Sequence, residues 1–500
     1  KNTWIKIFNC GIIKNVETGG IKMKNILRKT KIVCTIGPAS EKILEDMINT
    51  GMNVARINFS HGSYPEQEEK INDFLEIRKK LGKSVAMLLD MQGPEIRTGM
   101  LVTGKNEKIM LEDGQEFVLV NEDIIGDKDK VSVSYKELYK DVKPGDTILI
   151  DDGAIELKVK EIKDKDIICT VIHGNKLGSR KTMNLPGVSV RLPALKEKDI
   201  QDLKDGARVG FDYVAGSFIR NVDDVRQIRK VLDDNGGKDI KIICKIENQE
   251  GVDNIDSIIA ECDGIMVARG DMAVEVPFEK VPIIQKEFIK KCNEAGKPVI
   301  TATQMLETMQ ENPLPTRAEV SDVANAVFDR TSAIMLSAES AMGKYPLKCV
   351  ETMVKISKET EQAISYWKRF NKQEIKVNLE DIEENIIYTT CETAKNLNAD
   401  AIIAYTNNGD TVRRIAGFGA SCPILAITDN EKTYNQLALV WNTYPVLIQG
   451  ENSVDETIAK GIEKLKEEIL EEGDKVVLAG RFKTVPNDSE KKVIGCVVTI

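Results

Sequence analysis

No stretch of this 500-residue chain approaches the ~18 uninterrupted apolar residues that a membrane-spanning helix needs, which excludes a helical membrane protein. Positive charge is not in excess either. A net charge of −9 argues against bulk nucleic-acid binding and leaves room only for a local basic cluster that holds phosphate. The ten cysteines, Cys10, Cys34, Cys169, Cys244, Cys262, Cys292, Cys349, Cys391, Cys422 and Cys496, show no C-x-x-C spacing. That removes the redox and zinc motifs built on it and leaves scattered core thiols, reduced as in the cytoplasm. Low-complexity tracts and internal repeats are missing, and so is an initiating methionine. Lys6 and Lys14 interrupt the first apolar residues, which speaks against a secretory leader, while Met23 in MKNILRKTKIVCTIG reads as a natural start. Residues 1–22 are expected to be an extension, disordered or artefactual. The 42% hydrophobic and 30% charged residues describe a soluble globular protein, and the length asks for roughly two to four domains.

Along the chain, eight apolar runs alternate with amphipathic helical patterns: 31–36, 53–57, 84–89, 213–217, 241–246, 264–268, 298–302 and 332–336. Patterns such as EKILEDMINTG and PIIQKEFIKKCNEAGK close on or near a glycine suited to a helix C-cap. Alternating units with near-continuous apolar strands predict a parallel sheet, and eight of them predict an α/β fold of (β/α)8 TIM-barrel type with its chemistry at the strand C-termini. The rhythm stops between the third and fourth strands. There, alternating apolar and polar residues with turns at Asp113-Gly114, Pro144-Gly145 and Asp152-Gly153 predict a small β domain inserted into a barrel loop. The expected organisation is a barrel over 23–94 and 191–365, an inserted β-barrel lid over 95–190 and a C-terminal α/β domain over 366–500.

The strand ends carry the charge. KIICKIENQEG places Lys245 and Glu247 two apart on one strand face with Ile246 behind them, and GIMVARGD adds Asp271. An amine and two carboxylates at one rim outline a metal and anion site; an internal salt bridge is the plainer alternative. NVARINFSHG turns Arg56, Asn58 and Ser60 one way, and a guanidinium suits phosphate because its planar fork donates two parallel hydrogen bonds. LLDMQGPEIRTG adds Asp90, Glu95 and Arg97, PVITATQMLETM presents Thr303, and AIMLSAES presents Ser337 and Glu339. Each alone also fits a helix cap or a surface residue. Polar groups at the C-terminal ends of most barrel strands favour a site.

In this order, and with a β insertion after the second of them, MNVARINFSHG, LDMQGPEIRTG, CKIENQEG, GIMVARGD, ITATQMLETM and MLSAES resemble the pyruvate kinases. The match runs from about Lys29 to Pro346, with weaker motifs beyond. The resemblance implies phosphoryl transfer from phosphoenolpyruvate to ADP and protonation of the resulting enolate, the last step of glycolysis. It implies Mg²⁺ (or Mn²⁺) on Glu247 and Asp271, K⁺ on Asn58, Ser60, Asp90 and the carbonyl of Met91, and Glu95 as the residue that accompanies K⁺ dependence. Lys245 and Arg56 then face the phosphoryl group. Thr303 faces the methylene carbon, with a water relay through Ser337 and Glu339 because a threonine hydroxyl is a poor proton source. Backbone amides over Ala268, Arg269, Gly270 and Asp271, if they open a helix, take the substrate carboxylate. ADP is expected near His61, Arg97 and Lys198, with Asp152 swinging in on the lid; His61 reads equally as a turn residue. Family resemblance also implies a cytoplasmic homotetramer.

Three departures stand out. Met91-Gln92 replaces the family's Thr-Lys, and Ala273 replaces a glycine. Thr406, Asn407, Asn408, Gly409, Asp410 and Thr411 occupy the position of the loop that binds sugar-phosphate effectors in some members, with Asp410 where a cation is usual. Like-charge repulsion predicts weak or absent activation by fructose 1,6-bisphosphate, and an ordinary βα turn explains the run equally well. The rival functions are a Mg²⁺-dependent barrel lyase or aldolase working through a pyruvate enolate, which needs neither the ARINFSHG cation site nor the lid, and a non-catalytic anion sensor.

Overall fold

The computed structural model describes residues 27–60, 62–104, 107–372, 380–451, 453–482 and 492–500. The readings made for residues 1–22 and for His61 lie outside the described residues.

Eight strands close into one parallel barrel: β1 (Lys31–Thr35), β2 (Val54–Asn58), β3 (Ala86–Asp90), β4 (Tyr213–Gly216), β5 (Lys241–Ile246), β6 (Gly264–Ala268), β7 (Val299–Ala302) and β8 (Ala333–Leu336). Each lies within two residues of its expected place. Both faces of every strand are covered, which is why these runs read as continuous apolar sequence. Val33, Val54, Leu88, Ile243, Met266 and Met335 point inward, while Cys34, Ile57, Leu89, Ile242, Ile246 and Val267 pack outward against the helices.

Local signals start and stop those helices. Ser63 and Glu66 form a capping box at the head of helix Tyr64–Leu81, with Pro65 in its first turn, and Gly82 ends it at φ 60°. Thr316 and Glu319 do the same for helix Arg317–Phe328.

Between β3 and β4 the chain makes a seven-stranded sheet around Phe117, Leu119, Ile148, Leu157 and Cys169. Its outer strands, Ile96–Arg97 and Lys130–Ser132, meet through the Thr98–Val133 bridge. Hydrogen bonds from Gly99 N to Ser132 O (2.8 Å) and from Ser134 N to Arg97 O (2.9 Å) flank that bridge, so the sheet curls shut as a small barrel.

The C-terminal region is a five-stranded sheet: β9 (Ala401–Tyr405), β10 (Ile424–Thr428), β11 (Thr443–Leu447), β12 (Lys475–Phe482) and β13 (Lys492–Thr499), the last antiparallel at an edge. Its short turn Leu437–Leu439 inserts Ala438 and Leu439 into the inward-facing barrel cluster, and Tyr213 donates its hydroxyl to Gln436 O at 2.7 Å. The N-terminal mouth of the barrel is thereby plugged. Only the C-terminal rim, under the lid, is left for a site.

Candidate active site

Strand alternation delivers Lys245 and Glu247 together at that rim, as their spacing predicts. Lys245 Nζ stands 2.9 Å from Glu247 Oε1 and 3.4 Å from Asp90 Oδ1, and donates to Ser217 Oγ at 2.8 Å. Burial alone lowers a lysine pKa; here the carboxylates of Asp90, Glu247 and Asp271 outweigh it and hold the ammonium well above its usual range. Asp90 is fully buried between two cations, with Arg56 Nε at 2.6 Å from its other oxygen. Burial raises this carboxyl, but Arg56 and Lys245 prevail and hold it below the usual carboxylate range. Arg56 is aimed in turn by Thr35 Oγ1, which accepts from its Nη1 at 2.7 Å.

The second carboxylate pair behaves differently. Burial pushes Glu247 up to about 7, against the pull of Lys245 and with repulsion from Asp271 added. Asp271 is raised as well, by burial first and by the lid residue Asp152 in part, and lies within hydrogen-bond reach of Glu247. Phe218 N, at φ 56°, donates to the outer oxygen of Glu247 at 2.5 Å. Two buried carboxyl groups that repel each other when ionised favour a cation between them. Among the described residues no group of three or more His, Cys, Asp or Glu side chains has metal-holding geometry. The pair suits a hard divalent ion that draws its other ligands from substrate and water.

Helix Arg269–Glu275 opens at Ala268, as expected, and aims its first amides at the rim. One of them, Gly270 N, donates to Thr303 Oγ1 at 2.8 Å. Thr303 itself sits at φ 69° and Gln304 at φ 53°, left-handed conformations that a β-branched residue adopts only under strain. The strain turns the hydroxyl back over the end of β7.

Matches with known proteins decide what this rim belongs to. A family model described as "Pyruvate kinase, barrel domain" matches residues 27–350, and one described as "Pyruvate kinase, alpha/beta domain" matches 384–489. The pyruvate kinase of Clostridium acetobutylicum is 50% identical over 464 residues, covering 92% of this chain and 97% of its own. That of Clostridium perfringens is 48% identical with the same coverage, and that of Bacillus licheniformis is 47% identical over 90% of this chain and 77% of its own. The chain belongs to the pyruvate kinase family. It is a phosphotransferase, a pyruvate kinase by its relatives, and the family is metal-dependent and acts on phosphoenolpyruvate with ADP or ATP. Nothing favours the lyase reading.

Several residues singled out from the sequence stand apart from the Lys245 cluster in this pyruvate kinase fold. The Arg269 side chain is taken up by structural partners: Nε and Nη2 donate to the carbonyls of Ala302 (3.2 Å) and Thr303 (2.6 Å), and Nη1 reaches Asp322 (2.7 Å). Glu339 is fully buried, its oxygens accepting from Leu306 N (3.1 Å) and Ser337 N (2.7 Å), so it joins the β7 and β8 loops. Glu95 is paired with Arg97 at 2.6 Å, so its charge is already answered. Lys198 donates to Phe59 O (2.7 Å), pairs with Asp202 (2.6 Å) and lines an open cleft with Tyr64 and Arg208. Asn58 faces Asp90 across β2 and β3, yet its Oδ1 accepts from Ser60 N at 3.0 Å. Met91 O accepts from Ser217 Oγ at 2.7 Å.

Ser217 was missed by the sequence reading. It bridges Lys245 to the carbonyl of Met91, and its signal, a hydroxyl directly after an apolar strand, is the one that exposed Thr303 and Ser337.

Proposed function

We propose that the Lys245 cluster carries out the transfer of the phosphoryl group of phosphoenolpyruvate to ADP, giving pyruvate and ATP, with Mg²⁺ on Glu247 and Asp271. The observation that carries this reading is a lysine kept charged at the rim by three carboxylates, beside an arginine aimed by Thr35 and Asp90. Both cations neutralise the phosphoryl oxygens while that group passes between enol oxygen and ADP, where stabilisation matters most. The divalent ion, when bound, polarises the substrate oxygens and stabilises enolate charge.

Amides at the head of helix Arg269–Glu275 receive the substrate carboxylate. Thr303 lies next to them, over the methylene carbon of the enolate. Its hydroxyl accepts from Gly270 N and donates to Ala302 O at 2.6 Å, so the proton reaches carbon through water at Thr303 and Ser337, with Glu339 fixing the loops that present them. ADP lies between barrel and lid, its far end in the Tyr64–Lys198–Arg208 cleft and Arg97 and Asp152 above it; His61 belongs to this same set. K⁺ takes Asn58, Ser60, Asp90 and the Met91 carbonyl, where Asp90 supplies the charge. The domains divide at 23–94 with 191–365, 95–190 and 366–500. Cys34, Cys169, Cys244, Cys262, Cys292, Cys349, Cys391 and Cys422 are buried thiols outside disulfide bonds, which suits a cytoplasmic enzyme.

A homotetramer accounts for two apolar surfaces. Phe278, Ile283, Leu314 and Met342, each 67–75% exposed, follow the consecutive strands β6, β7 and β8, and Val497 and Val498 are exposed on edge strand β13.

The test is pyruvate formation from phosphoenolpyruvate and ADP with Mg²⁺, with and without K⁺. Turnover in the wild type and a loss of at least about a hundredfold in Lys245→Met are expected, on the scale of losing one preorganised charge. No turnover in the wild type refutes the reading, and undiminished turnover in Lys245→Met removes Lys245 from its role.

A further inference from the structure

Two connections join lid to barrel. The outgoing one is pinned at Gly93, whose N–H donates to Asp199 Oδ1 at 3.0 Å, and at Glu95, whose carbonyl accepts from Lys196 Nζ at 3.0 Å. The returning one is pinned three times. Asn184 Nδ2 and Leu185 N donate to one oxygen of Glu275, at 2.9 and 3.1 Å; Ser189 Oγ donates to Glu250 at 3.2 Å; and Arg220 Nη1 donates to Val190 O at 2.8 Å.

The Glu275 contact differs from the others in where it leads. Glu275 lies one helical turn after Asp271 on helix Arg269–Glu275, so the two side chains share a face. Asn184 and Leu185 are buried, Leu185 within the lid's own core, and both line with Glu275, Asp271 and Asp152 a cavity of about 360 Å³ between lid and barrel. The lid therefore meets this one helix in two ways: Asn184 and Leu185 bond Glu275, and Asp152 lines the same cavity as Asp271, where its charge repels that carboxylate. The first contact attracts. The second repels until a cation lies between the two carboxylates.

We infer that Glu275 is a positioning residue: it latches the returning lid strand onto the Asp271 helix, so that Asp152 is kept at the cavity it shares with Asp271 and lid closure and divalent-ion binding become one event. The inference rests on the metal assignment proposed above. Losing a buried acceptor leaves two donors unsatisfied, which at a hinge shifts the open–closed balance by about tenfold or more. A closed lid then raises ion affinity by the same factor, since each event favours the other.

The experiment uses the full chain, free of metal, with Mn²⁺ as probe and two readouts that need no turnover: Mn²⁺ affinity by calorimetry and hydrogen exchange at the Leu185 amide. Glu275→Ala is expected to weaken Mn²⁺ about tenfold and to speed exchange at Leu185 by a similar factor. Glu275→Gln keeps the acceptor oxygen and is expected to stay within about threefold of wild type in both. Asp152→Ala is expected to weaken Mn²⁺ in the wild type and to add little in Glu275→Ala, a coupling that a merely structural residue would not show. Asn184→Ala, which removes one donor only, gives a smaller loss of the same kind and serves if Glu275→Ala does not fold. Wild-type Mn²⁺ affinity in Glu275→Ala, equal losses in the Ala and Gln variants, or additive losses with Asp152→Ala overturn the proposal. Failure of the phosphotransfer reading would show instead as absent pyruvate formation with both readouts behaving as expected.

Discussion

At the scale of single residues the site is an arrangement of charges in which each is answered by the next. Asp90 lies between Arg56 and Lys245 and keeps both cations in place before any phosphate arrives. Removing one member of such a buried pair costs about 3–5 kcal/mol because the other is left uncompensated, so Asp90→Ala should cost stability as well as activity. Glu247 is the residue whose charge state is open. Its folded pKa of about 7 lies above the ordinary carboxylate value of roughly 4.3, so its contribution to stability is complete below that value and is lost as pH rises through about 7. A divalent ion needs the carboxylate, so ion binding strengthens over the same window and releases a proton. Titration of metal-free protein with Mn²⁺ should therefore show affinity falling by up to about tenfold per pH unit below pH 7. An affinity flat between pH 6 and 8 would refute this.

At the scale of elements, legibility depended on period. Eight barrel strands stood out because both their faces are buried, and Lys245 and Glu247 were placed on one face by alternation alone. What alternation cannot show is the direction of a side chain whose partner is distant in sequence. Arg269 turns toward Asp322, Lys198 toward Phe59 O, and Glu339 toward the amides of two loops, all decided by packing. The left-handed turn at Thr303 is equally silent in sequence, since threonine is a poor residue for it. The loop after β9 was legible in chemistry but not in pairing. Asp410, half-exposed, is ion-paired with Arg413, and Thr406 Oγ1 accepts from Gly409 N at 2.8 Å, so the turn is closed on itself and its own carboxylate already holds the nearby cation. A sugar bisphosphate would have to displace that pair. The KM for phosphoenolpyruvate should change by less than about twofold, within ordinary independent-site variation, on adding fructose 1,6-bisphosphate. A large fall in KM would contradict this.

At the scale of the whole molecule the C-terminal domain and the lid close opposite ends of the barrel. Ala438 and Leu439 enter the floor, Gln436 donates to Asp212 O (3.1 Å) and Asp239 O (2.7 Å), and Lys432 donates to Gly210 O at 2.8 Å. These ties leave apolar side chains exposed in the β6–β8 sector and along β13. An exposed edge strand is a template for pairing with another chain, and two distinct self-complementary surfaces build a closed tetramer with dihedral symmetry. In the proposed homotetramer the two surfaces should fail independently. Val497→Lys places charge on the β13 edge and should leave dimers joined through the barrel sector, whereas Ile283→Asp should leave dimers joined through β13. Combining the two should give monomers, with each step read as mass by light scattering. A wild-type mass of one chain, or a single substitution that takes the tetramer directly to monomers, would show that the two surfaces are not separate interfaces.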